Sequence, residues 1–280
     1  MAYAYQIGKY EVTNAQYGAF LNAVDPGGAN ANGVYNSNMG SNVRGGITYT
    51  AGAASGAKYT VRTSMGDKAV NYVSWYDAAR FTNWLGNGQG SGSTETGIYT
   101  LNGNTGIITK NVGATVYLPS EDEWYKAAYY DPTAGAGGGD NYWLYPTQSD
   151  TIPTVGSANS TGEISNPGAN VANYNLGADW NGQNGNVTTV GSAAANNYFG
   201  TFDQGGNLRE WNDAVIGSSR GLRGGSFNDG EGNLRASSRN GNVPTDERNT
   251  VGFRVASVPE PTSMVLTMLA SGVMLIRRKR

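Results

Sequence analysis

The 280-residue chain contains no cysteine and no histidine. The absence of cysteine excludes disulfide bonds and any metal site built on thiolates. It does not decide the compartment, since exported bacterial proteins and cytosolic proteins can both lack cysteine. The two absences together remove the thiolate and imidazole ligands that many transition-metal sites in proteins use.

Charged residues are also scarce, at 14% of the chain, and the formal net charge is −2. The last four residues (277–280, RRKR) are all basic, so the rest of the chain carries a net charge of −6. A mildly acidic domain without a basic patch is a poor candidate for binding nucleic acid. We therefore expect no nucleic-acid partner.

Glycine and asparagine are abundant, with 42 glycines, and both residues favour turns and left-handed backbone. This composition predicts a fold dominated by loops. The alternative of low-complexity disorder is disfavoured because six tryptophans and eighteen tyrosines give a core something to bury. No compositional break divides the chain, so we predict one domain over residues 1–256 and a tail over residues 257–280.

Three capping boxes predict the starts of three helices, at Thr13, Ser74 and Ser120. The residues before the first box, from Tyr3 to Val12, alternate well enough to predict a first strand. Residues 116–118 predict a short strand, and residues 99–109 predict a β-hairpin with its turn near Asn102 and Gly103. The remaining stretches predict long loops.

Four short segments stand out: residues 118–124 (LPSEDEW), 205–211 (GGNLREW), 223–227 (RGGSF) and 251–255 (VGFRV). In this order and at these distances they resemble the formylglycine-generating enzyme (sulfatase-modifying factor) family. The resemblance implies a C-type-lectin-like α+β fold with unusually little regular secondary structure. That implication accounts for the long irregular stretches, which would otherwise count against a compact domain.

The resemblance also implies structural calcium. The segment that matches the family's calcium loop would supply the Asp203 side chain, the carbonyls of Gly206 and Leu208, and the Glu210 carboxylate. Calcium takes six to eight oxygen ligands, which include carboxylates and backbone carbonyls. The alternative is a glycine turn before a strand, with Glu210 solvated.

A second calcium of the family would involve Asn173 and the Tyr174 carbonyl, with Asp179 as a candidate for the remaining acidic ligand. Calcium is the only cofactor that we expect, as a structural ion.

The catalytic residues of the family are missing. Its oxidases bind copper(I) through two cysteines just after the segment that matches residues 223–227, and the corresponding positions lie close to Asp229 and Leu234. Its iron-dependent relatives require histidines. We therefore expect no bound copper and no catalytic residue for either known chemistry. The sequence favours a protein without enzymatic activity over an enzyme.

Carboxylate pairs such as Asp229 with Glu231, or Asp246 with Glu247, are a weaker catalytic alternative. Acidic residues in surface loops are usually only solvated. We expect Arg254 to brace the core, and Trp75, Trp84, Trp124 and Trp211 to lie within it.

These observations favour a non-catalytic binding or structural module at the cell surface or in the extracellular matrix. The loop region from Asn228 to Asn249, around Asn228 and Asp229, would hold a glycan or protein ligand. Two alternatives stay open: an enzyme of unknown chemistry on the same scaffold, and a target of a diversity-generating retroelement.

The tail combines Pro259, Glu260 and Pro261 with an apolar run over residues 264–276 and the final basic cluster. It resembles the PEP-CTERM sorting tail of exported proteins in Gram-negative bacteria, which is cut by an exosortase. The apolar run is short for a full span of about 20 residues. The tail therefore predicts export, transient anchoring in the inner membrane and an exosortase-type partner, with a plain anchor as the alternative. Export further implies a signal peptide, which we expect upstream of Met1.

Overall fold

The computed structural model describes residues 3–133 and 139–259. Its helices are α1 (Asn14–Val24), α2 (Asn38–Ser41), α3 (Trp75–Gly86) and α4 (Glu121–Tyr129). The three predicted capping boxes begin α1, α3 and α4, because Thr13, Ser74 and Ser120 each accept from a backbone N–H one turn on.

The strands are short and lie in several small sheets. They are β1 (Gln6–Ile7), β2 (Ile47–Tyr49), β3 (Tyr59–Val61), β4 (Val116–Tyr117), β5 (Thr154–Val155), β6 (Val171–Ala172), β7 (Arg209–Ile216), β8 (Ser219–Arg223), β9 (Asn240–Asn242), β10 (Val251–Phe253) and β11 (Ala256–Ser257). The largest sheet has the order β10-β7-β8-β9, in which β10 pairs with β7 in parallel and the other pairs are antiparallel. In a second sheet, β1-β11-β4, the strand β11 near the end of the described chain pairs with β1 near its start and with β4 in its middle. Short helices, small sheets and long loops form the α+β architecture that the sequence predicts.

The predicted strand from Tyr3 to Val12 is much shorter than expected, because only Gln6 and Ile7 form a regular ladder, with β11. Beyond them the chain still follows the β10–β11 segment, but through separate hydrogen bonds, from Gly8 N to Val255 O and from Val12 N to Phe253 O.

The predicted hairpin at residues 99–109 is wrong as a ladder. Only one bridge forms, between Tyr99 and Lys110. The turn itself is present, with φ of 48° at Asn102 and 70° at Gly103. The flanking backbone groups bond elsewhere, since the Tyr99 carbonyl accepts from the Asn83 amide and Leu101 N donates to Glu95 O.

The main core lies where α1, α3 and the large sheet meet. Tyr17 and Phe20 of α1 pack against Phe81 of α3 and Phe253 of β10, with ring centroids 5.1–6.4 Å apart. Such aromatic contacts stabilise a core beyond their buried area. All four tryptophans that the sequence assigns to the core are buried: Trp75, Trp84, Trp124 and Trp211.

No helix within residues 3–133 and 139–259 is both long enough and apolar enough to cross a membrane. The predicted apolar segment 264–276 lies outside the described residues, as do Glu260 and Pro261 of the sorting motif. Pro259 is described and exposed.

Candidate functional site

Three of the sequence-predicted site segments meet at one place, which we call the motif junction: residues 173–176, 203–210 and 223–229. Asn207 is at its centre, since its N–H donates to Asn173 O at 2.8 Å and its carbonyl accepts from Phe227 N at 2.9 Å. Gly206 N donates to Gly224 O at 2.9 Å. The structure thus brings both predicted calcium segments and the predicted ligand loop into contact.

The glycines of the motifs allow this close approach. Gly206 has φ of 89°, and a Cβ atom there would lie 2.2 Å from the Asn173 carbonyl oxygen. Gly224 has φ of 93°, and its Cβ would lie 2.7 Å from Gln204 O. Both positions therefore require glycine, for backbone conformation and for space.

Glu210, the predicted calcium ligand on β7, is fully buried in a charge pair. Its two carboxylate oxygens accept from Arg254, from Nε at 2.6 Å and from the second terminal nitrogen at 2.7 Å. Trp124 Nε1 donates to the same carboxylate at 2.7 Å. Arg254 also donates to the carbonyls of Gly8 and Phe202, so it braces the core as the sequence predicts.

Two further acids lie close to this pair, and sequence reasoning missed the first of them. Glu11 is buried and accepts from Leu208 N at 3.1 Å and from the Asn207 amide. Burial, together with the charges of Glu210 and Asp203, raises the pKa of Glu11 well above its usual range. Burial likewise raises the pKa of Asp203 to about 6, although Gly191 N donates to its carboxylate.

These shifts follow from the cost of placing several like charges in a poorly solvated region. The one arginine of this region, Arg254, pairs with Glu210, while Glu11 and Asp203 accept from backbone and amide N–H groups. We call Glu11, Asp203, Glu210 and Arg254 the buried charge cluster.

The predicted first calcium site does not fit this arrangement without displacement. An ion bound by Glu210 would have to share the carboxylate with Arg254 and Trp124, which already use most of its acceptor positions. Among the residues that the structure describes, no three His, Cys, Asp or Glu side chains are placed to hold a metal ion. Calcium at this loop stays a prediction from the family resemblance.

The second predicted site offers one free oxygen. Asn173 is buried and donates to Asn186 O at 2.9 Å, whereas its own Oδ1 has no partner within the described part of the chain. Such an orphaned oxygen fits a cation or a water molecule. Tyr174 is also buried, while Asp179 is exposed and accepts from Gly185 N. This site too stays a prediction.

Asp229 and Leu234, which lie close to the positions that the resemblance assigns to the family's two cysteines, are used for structure. Asp229 accepts from Arg209 Nε at 2.8 Å and from Ser226 N and Oγ at 2.9 and 2.7 Å. Leu234 is fully buried against Tyr145 and Tyr174. A salt-bridged carboxylate and a core leucine cannot replace a pair of thiolates.

The suggested carboxylate pairs do not form as the sequence proposed. Asp229 pairs with Arg209, and Asp246 pairs with Arg248. Glu247 instead hydrogen-bonds to Asp77 at the start of α3. Burial, and then the Asp77 charge, raises the pKa of Glu247 to about 8. Asp77 also caps α3 through Ser74, so this contact attaches the loop that holds Glu247 to the start of the helix.

The fold and these motifs identify the class of the domain. A family model described as the sulfatase-modifying factor enzyme 1-like domain (FGE-sulfatase) matches residues 2–258. The chain belongs to this family, and the resemblance read from the four motifs is confirmed.

Two solved structures have similar folds. The crystal structure of CarF is 22% identical, with 91% of this chain and 87% of that chain covered and a TM-score of 0.52. Treponema denticola variable protein 1 is 19% identical, with 91% and 84% covered and a TM-score of 0.51. At these identities the likeness shows the fold alone. No curated protein sequence matches the chain.

Proposed function

We propose that this protein is a non-catalytic binding or structural module built on the formylglycine-generating enzyme scaffold. The observation that carries the proposal is the fate of the catalytic positions. Asp229 is tied to Arg209 and Ser226, Leu234 is in the core, and the whole chain has no cysteine or histidine. The scaffold is kept, whereas the groups that perform the family's oxidation are replaced by groups that hold loops together.

An oxidation assay tests this proposal. Purified protein is incubated with a sulfatase-motif peptide, copper(I) and oxygen, and the peptide is examined by mass spectrometry. We expect the peptide cysteine to stay unchanged. Conversion of that cysteine to formylglycine at a catalytic rate would contradict the proposal.

The proposed binding face is the loop region from Asn228 to Asn249. Asn228 is exposed, and its neighbour Asp229 fixes the loop to β7 through Arg209. Arg223 and Arg239 share the Glu121 carboxylate and so fix the following segment to α4. Rigid attachment of exposed loops favours recognition, because less conformational entropy is lost on binding. A protein or glycan captured by wild type and lost by Asn228→Lys supports this face; equal capture contradicts it.

The two alternative functions require different evidence. An enzyme of unknown chemistry needs a substrate that disappears when the pure protein is present. A diversity-generating retroelement target needs a template repeat in the neighbouring DNA that matches the codons of the 228–249 region, together with a reverse transcriptase gene. Sequencing of the genomic neighbourhood decides the second alternative directly.

Export and sorting belong to the same proposal. The order of Pro-Glu-Pro, apolar run and basic cluster supports processing by an exosortase-type enzyme after transfer across the inner membrane. The mature protein from the native cell should end near Val258–Pro261, and intact-mass analysis measures this. Recovery of the protein with Arg280 still present would reduce the tail to a plain anchor.

Structural calcium also stays proposed. The support is the family resemblance and the Asn173 Oδ1, which has no partner among residues 3–133 and 139–259. A ligand that binds only the folded state at about 100-fold excess over Kd stabilises it by about 2.7 kcal/mol. We expect calcium to raise the melting temperature of chelator-treated protein and Asn173→Ala to reduce that rise. Identical melting with calcium and with chelator would contradict a calcium site.

A further inference from the structure

A cavity of about 400 Å³ opens between the N-terminal segment, α4 and the loop at residues 199–201. It is separate from the motif junction and from the loop region at 228–249. Its volume falls within the range of about 300–1,000 Å³ that is usual for small-molecule sites. The side chains that define its chemistry are three aromatic rings and two lysines: Tyr3, Tyr5, Phe199, Lys9 and Lys126. We call it the aromatic–lysine pocket.

The aromatic rings on one side of the pocket are held in place by α4. The Tyr5 hydroxyl donates to the Glu123 carbonyl at 2.8 Å, and the Tyr3 hydroxyl donates to the Glu123 carboxylate at 3.1 Å. Their hydroxyls are therefore occupied, and the rings are what they offer to a ligand. Tyr3 keeps 52% of its surface exposed.

Phe199 projects from a tight loop that is also fixed. Asn197 Oδ1 accepts from Phe199 N and Thr201 N, both at 3.1 Å. Phe202 N donates to Lys9 O at 2.9 Å, which joins this loop to the N-terminal segment. The Phe199 ring is nevertheless 46% exposed. An exposed aromatic ring on a fixed loop is a common binding element, because little entropy is lost when it makes contact.

The two lysines lack acidic partners. Lys126 Nζ lies 5.7 Å from the Tyr130 ring centroid and 5.9 Å from that of Phe199, and Lys9 Nζ lies 5.3 Å from the ring centroids of Tyr10 and Phe202. Within the described residues neither lysine forms a salt bridge, and none of the residues that line the cavity is acidic. Two carboxylates of α4 lie near the pocket without lining it. Glu123 is buried and accepts from Tyr3 and Tyr117, and the charge of Asp122 also acts on Tyr3.

We propose that the aromatic–lysine pocket binds an acidic saccharide, with a sugar ring against the exposed aromatic faces and its carboxylate or sulfate between Lys9 and Lys126. The charge complementarity is local, since the protein as a whole has a net charge of −2 and the pocket is positive. A fully apolar ligand would bury two ammonium groups without a counter-ion, which is unfavourable. A sugar acid satisfies both features, because its ring has an apolar face and its substituent is anionic.

The test uses full-length protein and isothermal titration calorimetry with three acidic probes: trigalacturonate, trimannuronate and a sulfated disaccharide. Fully methyl-esterified trigalacturonate is the matched neutral probe, since it has the same rings without charge. At least one acidic probe should bind, and raising the salt from about 50 mM to about 500 mM should weaken its binding. The esterified probe should bind about tenfold more weakly than trigalacturonate if that acid is the one bound. For trimannuronate the matched neutral probe is its methyl ester, and for the sulfated disaccharide it is the desulfated form.

Matched variants locate the site. Phe199→Ala and Lys126→Met should each weaken binding by about tenfold. Tyr49→Ala is the control for the ring, because Tyr49 is 36% exposed on β2 and does not line the cavity. Lys58→Met is the control for the charge, since Lys58 lies in another loop and donates to Ala51 O.

Both control variants should bind like wild type, and the melting temperatures of all four variants show whether they fold. The proposal fails if no acidic probe binds, or if the acidic and neutral forms bind equally. It also fails if the folded Phe199 and Lys126 variants bind as tightly as their controls. These failures leave the non-catalytic assignment intact, because the oxidation assay tests that assignment separately.

Discussion

The cationic side chains of the buried charge cluster and of the aromatic–lysine pocket have opposite environments. Arg254 is fully buried, and each of its donor nitrogens meets a carboxylate or a carbonyl oxygen. Lys9 and Lys126 lie at the surface with aromatic rings for neighbours and no acidic partner within the described residues. A cation whose bonds are all satisfied within the protein stabilises the fold, whereas a cation without a partner is available to a ligand.

The other arginines near the motifs behave like Arg254. Arg209 pairs with Asp229, Arg220 with Asp213, and Arg223 with Glu121. Each pair joins segments that are far apart in the sequence or lie on neighbouring strands. In a fold with little regular secondary structure, these bidentate and charged hydrogen bonds hold segments together. In other folds longer β-strand ladders do this. The comparison between the cluster and the pocket can be tested by removing the charges in turn.

The largest effect should come from Arg254→Met, which keeps much of the side-chain volume and removes the charge. Glu210 would then be buried without its partner, and breaking a buried pair costs about 3–5 kcal/mol. Urea unfolding followed by tryptophan fluorescence measures the change in the free energy of unfolding.

Arg248→Met is the matched control, because Arg248 forms a salt bridge with Asp246 but is 58% exposed. Exposed pairs contribute about 0–1 kcal/mol, so this variant should unfold almost like wild type. Equal destabilisation by the two substitutions would show that the Glu210–Arg254 pair is not what stabilises the motif junction.

An intermediate effect is expected for Asp229→Asn, close to a position that the family resemblance assigns to a cysteine. The substitution removes the charge that Arg209 and Ser226 share, while the side chain keeps its size. Loss of charge-assisted bonds at a mostly buried site should cost about 1–3 kcal/mol. Glu231→Gln in the same loop is the control and should change the free energy of unfolding little. If Asp229→Asn is as stable as wild type, the residue is free for another role, and the enzymatic alternative gains support.

Some parts of this architecture could be read from the sequence. The capping boxes at Thr13, Ser74 and Ser120 are local signals, in which two side chains and a few backbone groups decide the helix start, and all three predictions are confirmed. The four motifs were also sufficient to recognise the family. At Gly206 and Gly224 a positive φ and the lack of space for a Cβ atom require glycine, so the local packing determines the motif sequence.

Other parts depend on contacts that no local pattern encodes. The hairpin at residues 99–109 failed because its backbone groups bond to Asn83 and Glu95 instead of to each other. Glu11 could not be assigned to the charge cluster, since it lies about 200 residues from Glu210 in sequence. The aromatic–lysine pocket draws on three separate segments, and no pattern in the sequence pointed to it.

The smallest expected effect concerns Glu247, whose carboxyl group forms a hydrogen bond with Asp77 rather than a salt bridge. Asn36 also donates to it, Asp246 is nearby, and Arg80 lies 3.7 Å from Asp77 Oδ1. Burial and Asp77 together raise the pKa of Glu247 from 4.5 to about 8, so the folded state favours the protonated form. Its contribution to stability is therefore complete below about pH 4.5 and is lost as the pH rises through 8.

Glu247→Gln keeps a donor towards Asp77 and cannot ionise. From pH 5 to pH 9 its melting temperature should fall less than that of wild type, whereas Glu163→Gln, an exposed control, should follow wild type. Parallel curves for wild type and Glu247→Gln would show that Asp77 and Glu247 do not share a proton, and that this loop, like the aromatic–lysine pocket, leaves its charge open to solvent.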